Sequence, residues 1–108
     1  MTDSIQELTR EICTFSDERG WCKNGRVDLK GMAISISLEA AELLEHFQWI
    51  KDGEIDTCVH ERKAELKDEL ADVAIYVFQF ADRMGIDLAQ AVREKMEKNA
   101  KKYPIEKE

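Results

Sequence analysis

Apolar side chains recur at helical spacing through most of this chain. Ile5, Leu8, Ile12 and Phe15 follow Ser4-Ile5-Gln6-Glu7, which has the form of a capping box with Ser4 as N-cap and Glu7 closing it. The pattern stops at Gly20, and a loop from Trp21 to about Leu29 carries Asn24-Gly25. Loops of this kind often hold binding residues on a regular scaffold. A second helix is expected from about Lys30 to Ile50, stopping near Asp52-Gly53. A third should start between Thr57 and Glu61 and end at Met84-Gly85. In the fourth, Asp87 caps the start with Gln90 as its reciprocal partner. That helix ends around Lys101 or Lys102, where basic side chains suit the negative end of the dipole and Pro104 blocks continuation. No useful length alternates with the period of two that a strand requires. The expected fold class is all-α, a four-helix bundle-type protomer in a single domain spanning residues 1–108.

The third helix says most about assembly. From Leu70 to Ala81 it is apolar nearly all the way round, and a helix apolar on every side is buried on every side. A bundle of 108 residues cannot surround one helix that fully by itself. A homo-oligomer, either a dimer or a tetramer built as a dimer of dimers, is therefore expected.

Composition narrows the function classes. Sixteen basic residues stand against 23 acidic ones, a formal charge of −7 that repels phosphate backbones and argues against nucleic acid as a partner. A small phosphate ligand remains compatible if a divalent cation bridges the two negative parties. No stretch is long and apolar enough for a membrane span, and Met1-Thr2-Asp3-Ser4 lacks the basic-then-apolar order of a signal peptide. Cys13, Cys22 and Cys58 are odd in number and widely spaced, which favours reduced thiols. A cytoplasmic protein without a membrane partner is the expectation.

The carboxylates carry the candidate chemistry. At about 100° per residue, Met32, Ile36, Leu43, Phe47 and Ile50 form one apolar arc on the second helix, and Glu39 lies at its lip. Glu42, His46 and Trp49 continue down the same margin. On the third helix Leu66, Leu70, Val73, Val77, Ala81 and Met84 define the arc, with Glu69, Asp72 and Tyr76 along its margin. If the two helices pack antiparallel, four carboxylates converge at the mouth of the core. An uncompensated carboxylate there is costly, and hard divalent cations such as Mg²⁺ or Mn²⁺ relieve the cost with oxygen coordination. For one acid pair alone a solvated face is the ordinary explanation; two pairs beside apolar arcs favour metal.

Three ordered blocks then extend the picture. They are Ser-Leu-Glu39-Ala-Ala-Glu42-Leu-Leu-Glu45-His-Phe-Gln-Trp49, Glu69-Leu-Ala-Asp72-Val-Ala-Ile-Tyr76, and Lys95-Met-Glu-Lys-Asn99-Ala-Lys-Lys-Tyr103-Pro104. Together they resemble the MazG-like nucleotide pyrophosphohydrolases of the all-α NTP pyrophosphatase superfamily, closest to the small single-domain branch that includes dCTP pyrophosphatases. The resemblance covers roughly residues 28–104. It implies an all-α bundle assembled into dimers or tetramers, and Mg²⁺-dependent hydrolysis of a nucleoside triphosphate to the monophosphate and pyrophosphate, with Mn²⁺ as a possible substitute. It also implies that Glu39, Glu42, Glu69 and Asp72 bind metal and act in catalysis. Lys95 and Asn99 match phosphate contacts, Tyr76 a residue near the substrate, and Trp49 an aromatic of the base pocket. Trp21 and Lys30 match further family positions, and Trp21 is the better stacking candidate. The chain departs from the pattern in two places. Leu38 stands where the wider family often has an acid, and Trp21-Cys-Lys-Asn-Gly-Arg26-Val-Asp28 replaces a His-x-Pro-like turn, which bears on base specificity.

Two rival readings fit the residues less well. A di-iron carboxylate bundle calls for Glu-x-x-His on two helices, whereas Glu42 and His46 are four apart and the third helix has no histidine. A non-catalytic helical oligomer acting as a partner-binding or regulatory module would leave the carboxylates without strong metal binding. His46 itself reads as a structural hydrogen-bonding residue, and His60 carries no signal.

Overall fold

A computed structural model describes residues 4–21 and 28–106. These residues form five α-helices: α1 (Ile5–Glu18), α2 (Leu29–Glu45), α3 (Ile55–Glu61), α4 (Lys63–Arg83) and α5 (Leu88–Lys102). A short 3-10 turn, Asp52–Glu54, precedes α3, and no strand occurs among the described residues. The fold is all-α, with five helices where the sequence pattern predicted four.

The caps explain where the helices begin. Ser4 Oγ accepts from the Glu7 backbone N–H at 3.1 Å, and Asp87 Oδ1 from that of Gln90 at 3.1 Å. Asp28 does the same for Gly31 and starts α2 at Leu29, one residue before the expected Lys30. Each cap satisfies a donor that the first turn leaves without an intrahelical partner. The reciprocal role expected of the Gln90 side chain is not taken up; its amide donates instead to Glu94 Oε1 at 2.9 Å.

Two helices end in the same way. Gly20 and Gly85 adopt φ of 69° and 67°, a region costly for any residue with a Cβ. At the end of α1, Trp21 N–H reaches back to Ser16 O at 3.1 Å and Gly20 N–H to Asp17 O at 3.0 Å. At the end of α4, Ile86 N–H reaches Ala81 O at 2.9 Å and Gly85 N–H reaches Asp82 O at 3.0 Å. Both are Schellman motifs, which satisfy the last carbonyls and turn the chain sharply.

The second predicted helix is shorter than expected. It leaves α geometry after Glu45, and residues 46–49 continue as tight turns. His46 O, which Ile50 N–H would reach in a continuing helix, accepts instead from Cys58 Sγ at 3.3 Å, while Ile50 N–H turns to Phe47 O. The third predicted helix is likewise two. It breaks at Arg62, whose φ of −108° and ψ of 20° depart from helical values, although Arg62 N–H still bonds Cys58 O. Buried Cys58 thus docks α3 beneath the end of α2, while α4 sets off separately along α2.

Helix α4 is the spine. Glu39 and Glu69 approach each other while His46 faces Glu65, so α2 runs antiparallel along the first half of α4. Ser16 bonds Gln79 and Cys13 bonds Asp82, so α1 runs antiparallel along the second half. Helix α5 leans on α1. The fully buried apolar set of this arrangement is small, comprising Met32, Cys58 and Ala81. Ile34, Leu38, Leu44, Leu70 and Ile75 remain exposed on α2 and α4, with Leu70 at 60%. The Cα radius of gyration is 17.3 Å, against about 13 Å for a compact domain near this length. The protomer is open, with much of its apolar surface uncovered. No described helix is long and apolar enough to cross a membrane.

Candidate functional site

The seam between α2 and α4 gathers the acids. Glu39 projects from α2, and Glu69 and Asp72 from α4, with one carboxylate oxygen of each lying within 4.8 Å of the other two. The sequence places them there because Glu69 and Asp72 are three apart on one margin of α4 and Glu39 sits on the facing margin of α2. Glu39 and Glu69 are half-buried, whereas Glu42 and Asp72 are exposed. Glu42 lies one turn past Glu39 and acts electrostatically on both Glu39 and Glu69, so all four acids belong to one neighbourhood.

The electrostatics are unfavourable as they stand. Burial raises the Glu39 carboxyl above the ordinary glutamate value, aided by a hydrogen-bonding contact with Glu42 and the charges of Glu42, Asp72 and Glu69. Glu69 is raised chiefly by its hydrogen-bonding contact with Glu42, then by burial and the charge of Glu42; His46 partly opposes the rise. Oε2 of Glu39 and Oε2 of Glu69 are both buried without a hydrogen-bond partner. Buried carboxylate oxygens without a donor are costly, and a cation supplies what they lack. The donor set is all oxygen and fits a hard divalent ion of the Mg²⁺ or Mn²⁺ kind.

The remaining candidates distribute unevenly. Tyr76 lies one turn beyond Asp72 on α4 and is half-buried, on the same stripe as the acids. Trp49, expected to continue the stripe of Glu42 and His46, is off the α-helix and 86% exposed, because α2 ends before it. Lys30 is in the first turn of α2, nine residues before Glu39 and so about half a turn out of phase with it. Lys95 and Asn99 share a face of α5 and are exposed; α5 has more contact with α1 than with the helices that carry the acids. Trp21 stands just past α1, its ring edge-on to Phe15 at 5.7 Å between centroids, while Arg19 stacks over Phe15 at 3.4 Å. The divergent loop lies, from Cys22 to Val27, outside the described residues.

Sequence reasoning passed over Glu65. It is one turn before Glu69, and its Oε2 stands 3.7 Å from His46 Nδ1, a nitrogen otherwise buried and without a hydrogen-bond partner. The i, i+4 spacing from Glu69 was the available signal. A cavity of about 660 Å³ lies elsewhere, between the start of α1 and the α4–α5 turn, and holds none of the four acids.

Comparison with known proteins decides the family. The MazG-like family model matches residues 34–108, from the middle of α2 to the C-terminus. The chain belongs to the MazG-like family. Its relatives include dCTP pyrophosphatase 1 of Mus musculus, 33% identical over 104 residues that cover 94% of this chain and 60% of that protein. The corresponding protein of Homo sapiens is 33% identical over 103 residues, covering 94% of this chain and 59% of its own length. This MazG-like chain therefore spans about 60% of the length of the curated relatives it matches. Among solved structures, a pyrophosphatase from Archaeoglobus fulgidus superposes with a TM-score of 0.87 at 42% identity, covering 97% of this chain and 96% of that one.

Proposed function

We propose that this MazG-like chain hydrolyses a (deoxy)nucleoside triphosphate to the nucleoside monophosphate and pyrophosphate, clearing unwanted triphosphates from the cytoplasmic nucleotide pool. The observation that carries the reading is the α2–α4 seam, where Glu39, Glu69 and Asp72 converge and two buried carboxylate oxygens lack partners. The kinship with proteins named dCTP pyrophosphatase and pyrophosphatase supports it.

Glu39, Glu42, Glu69 and Asp72 hold Mg²⁺, with Mn²⁺ as a substitute. A divalent ion bound there neutralises phosphate charge and supplies polarisation for attack at the α-phosphorus. Glu42 is more exposed than Glu39 and lies at the edge of the converging trio, so it is the carboxylate least committed to metal and the one that accepts a proton from the attacking water. Tyr76 borders the same stripe and contacts the bound nucleotide. Lys95 and Asn99 grip the phosphate tail as a pair on one face of α5, Lys30 adds a positive charge, and Trp21 and Trp49 offer rings to the base.

Assembly completes this site. The open protomer, its exposed apolar side chains on α2 and α4, and the seating of α5 on α1 support a homodimer or homotetramer. In that assembly α5 of one copy reaches the acids of another.

A turnover assay with Mg²⁺ across natural and modified nucleoside triphosphates, dCTP among the first, tests the reading. Monophosphate and pyrophosphate are the expected products. Diphosphate with orthophosphate, or no product with any nucleotide and metal, overturns it and leaves a helical module that binds rather than cleaves.

A further inference from the structure

The contact between α1 and α4 contains a feature that packing alone does not require. Ser16 and Gln79 are 2% and 9% exposed, the only fully buried polar residues among those described. Gln79 Nε2 donates to Ser16 Oγ at 2.6 Å across 63 residues of sequence. Apolar side chains of matching size would fill this contact with no polar group to satisfy, whereas a buried amide and hydroxyl tolerate only the arrangement in which they meet. The bond therefore selects one register of α1 on α4.

The backbone of Ser16 extends the constraint. Its carbonyl accepts from Arg19 N–H at 3.2 Å and from Trp21 N–H at 3.1 Å, the second being the long bond of the Schellman motif. Phe15, the preceding residue, packs its ring against Trp21. The position of Trp21 is thus tied to Ser16 by backbone and ring contacts, and Ser16 is tied to Gln79. The antiparallel register set by Cys13 with Asp82 and Ser16 with Gln79 brings the end of α1, at Glu18, level with about Val77. Tyr76 is the next residue along, and Asp72 one turn further.

We propose that Ser16 and Gln79 are positioning residues that hold Trp21 at a set distance from the acids on α4, and so govern which base is accepted rather than the hydrolytic step. The inference rests on the pyrophosphohydrolase reading with Trp21 as the stacking ring.

The test compares Ser16→Ala, Gln79→Ala, the double alanine variant and Ser16→Thr with the parent protein. The double variant removes both polar partners and leaves no buried orphan, so an effect it shares with the single variants is not the cost of an unpaired group. KM for the best nucleotide should rise about five- to tenfold and preference among bases should flatten, with kcat within about twofold. Ser16→Thr retains the hydroxyl and should restore the preference. A second readout needs no turnover. In a Trp49→Phe background Trp21 is the remaining tryptophan, and its fluorescence should respond to added dCMP without metal. Gln79→Ala should weaken that response by a similar factor.

Variants that lower Tm alone, leaving KM, base preference and the dCMP response unchanged, overturn the proposal, as does a loss confined to kcat. If the parent protein hydrolyses no triphosphate, the functional reading falls and takes this inference with it. If the parent is active and selective but the variants keep its selectivity, only the inference falls.

Discussion

The α2–α4 seam and the α5 arm carry the two halves of the candidate chemistry, and they are built in opposite ways. At the seam, Glu39 and Glu69 are half-buried against apolar arcs, and like charges approach within a few ångströms because packing drives the helices together. On α5 no residue is buried; Lys95 and Asn99 stand in solvent beside Met96 at 64% exposure. A single chain thus spends packing energy on crowding anionic groups while leaving its proposed phosphate contacts, Lys95 and Asn99, loose in solvent. On the proposed function, the contrast makes metal binding a property of one protomer, whereas substrate grip becomes ordered only when something covers α5.

The largest expected effect probes the seam. Glu39→Gln, Glu42→Gln or Asp72→Asn should each lower turnover by about 10³-fold with the helical circular dichroism unchanged, since each removes charge where the triphosphate needs neutralising. Near-normal rates in all three would show that the seam does not bear the chemistry.

The arm is probed next, with a smaller change. Lys95→Ala should raise KM about tenfold and leave kcat less affected. Mixing this variant with Glu39→Gln separates the two halves between copies. If α5 serves the neighbouring copy in a dimer, random pairing restores about a quarter of the sites. Activity no greater than the sum of the two variants would place both halves within one protomer.

The smallest effect is on stability, and its sign follows from the raised carboxyls. Glu39 and Glu69 have folded-state values above those of the unfolded chain. Their contribution is therefore complete below the unfolded value and is lost as pH rises through the raised folded value. Metal-free protein should lose stability, read as a lower Tm, as pH rises above the ordinary glutamate range, and Mg²⁺ should return it at the upper end. Glu39→Gln/Glu69→Gln should flatten both responses, while Lys95→Ala should leave them as they are. A metal-free Tm that shows no such difference between parent and double variant would break the contrast drawn above.

Much of this was legible before any coordinates. Helical periodicity located the territory of the five helices as four segments, running α3 and α4 together, and the chemistry of Ser4, Asp87, Gly20 and Gly85 placed ends to within a residue or two. The acid spacing on each margin identified Glu39, Glu69 and Asp72, because a helix converts spacing into a face without help from the rest of the chain. The end of α2 was not legible. Nothing in Phe47-Gln48-Trp49 breaks a helix; the break arises where Cys58, twelve residues on, takes the carbonyl of His46. For that reason Trp49 left the stripe on which periodicity had put it.

What the sequence determines by itself, then, is whatever depends on near neighbours: helix identity, caps, and which residues share a face. The tertiary structure alone decided how the faces meet. It set α2 antiparallel to α4, which turned two unremarkable acid pairs into one crowded site with partnerless oxygens. It also joined Ser16 to Gln79, residues with no periodic mark. The physical reason is that such contacts take their energy from long-range burial and desolvation, to which a local pattern is blind.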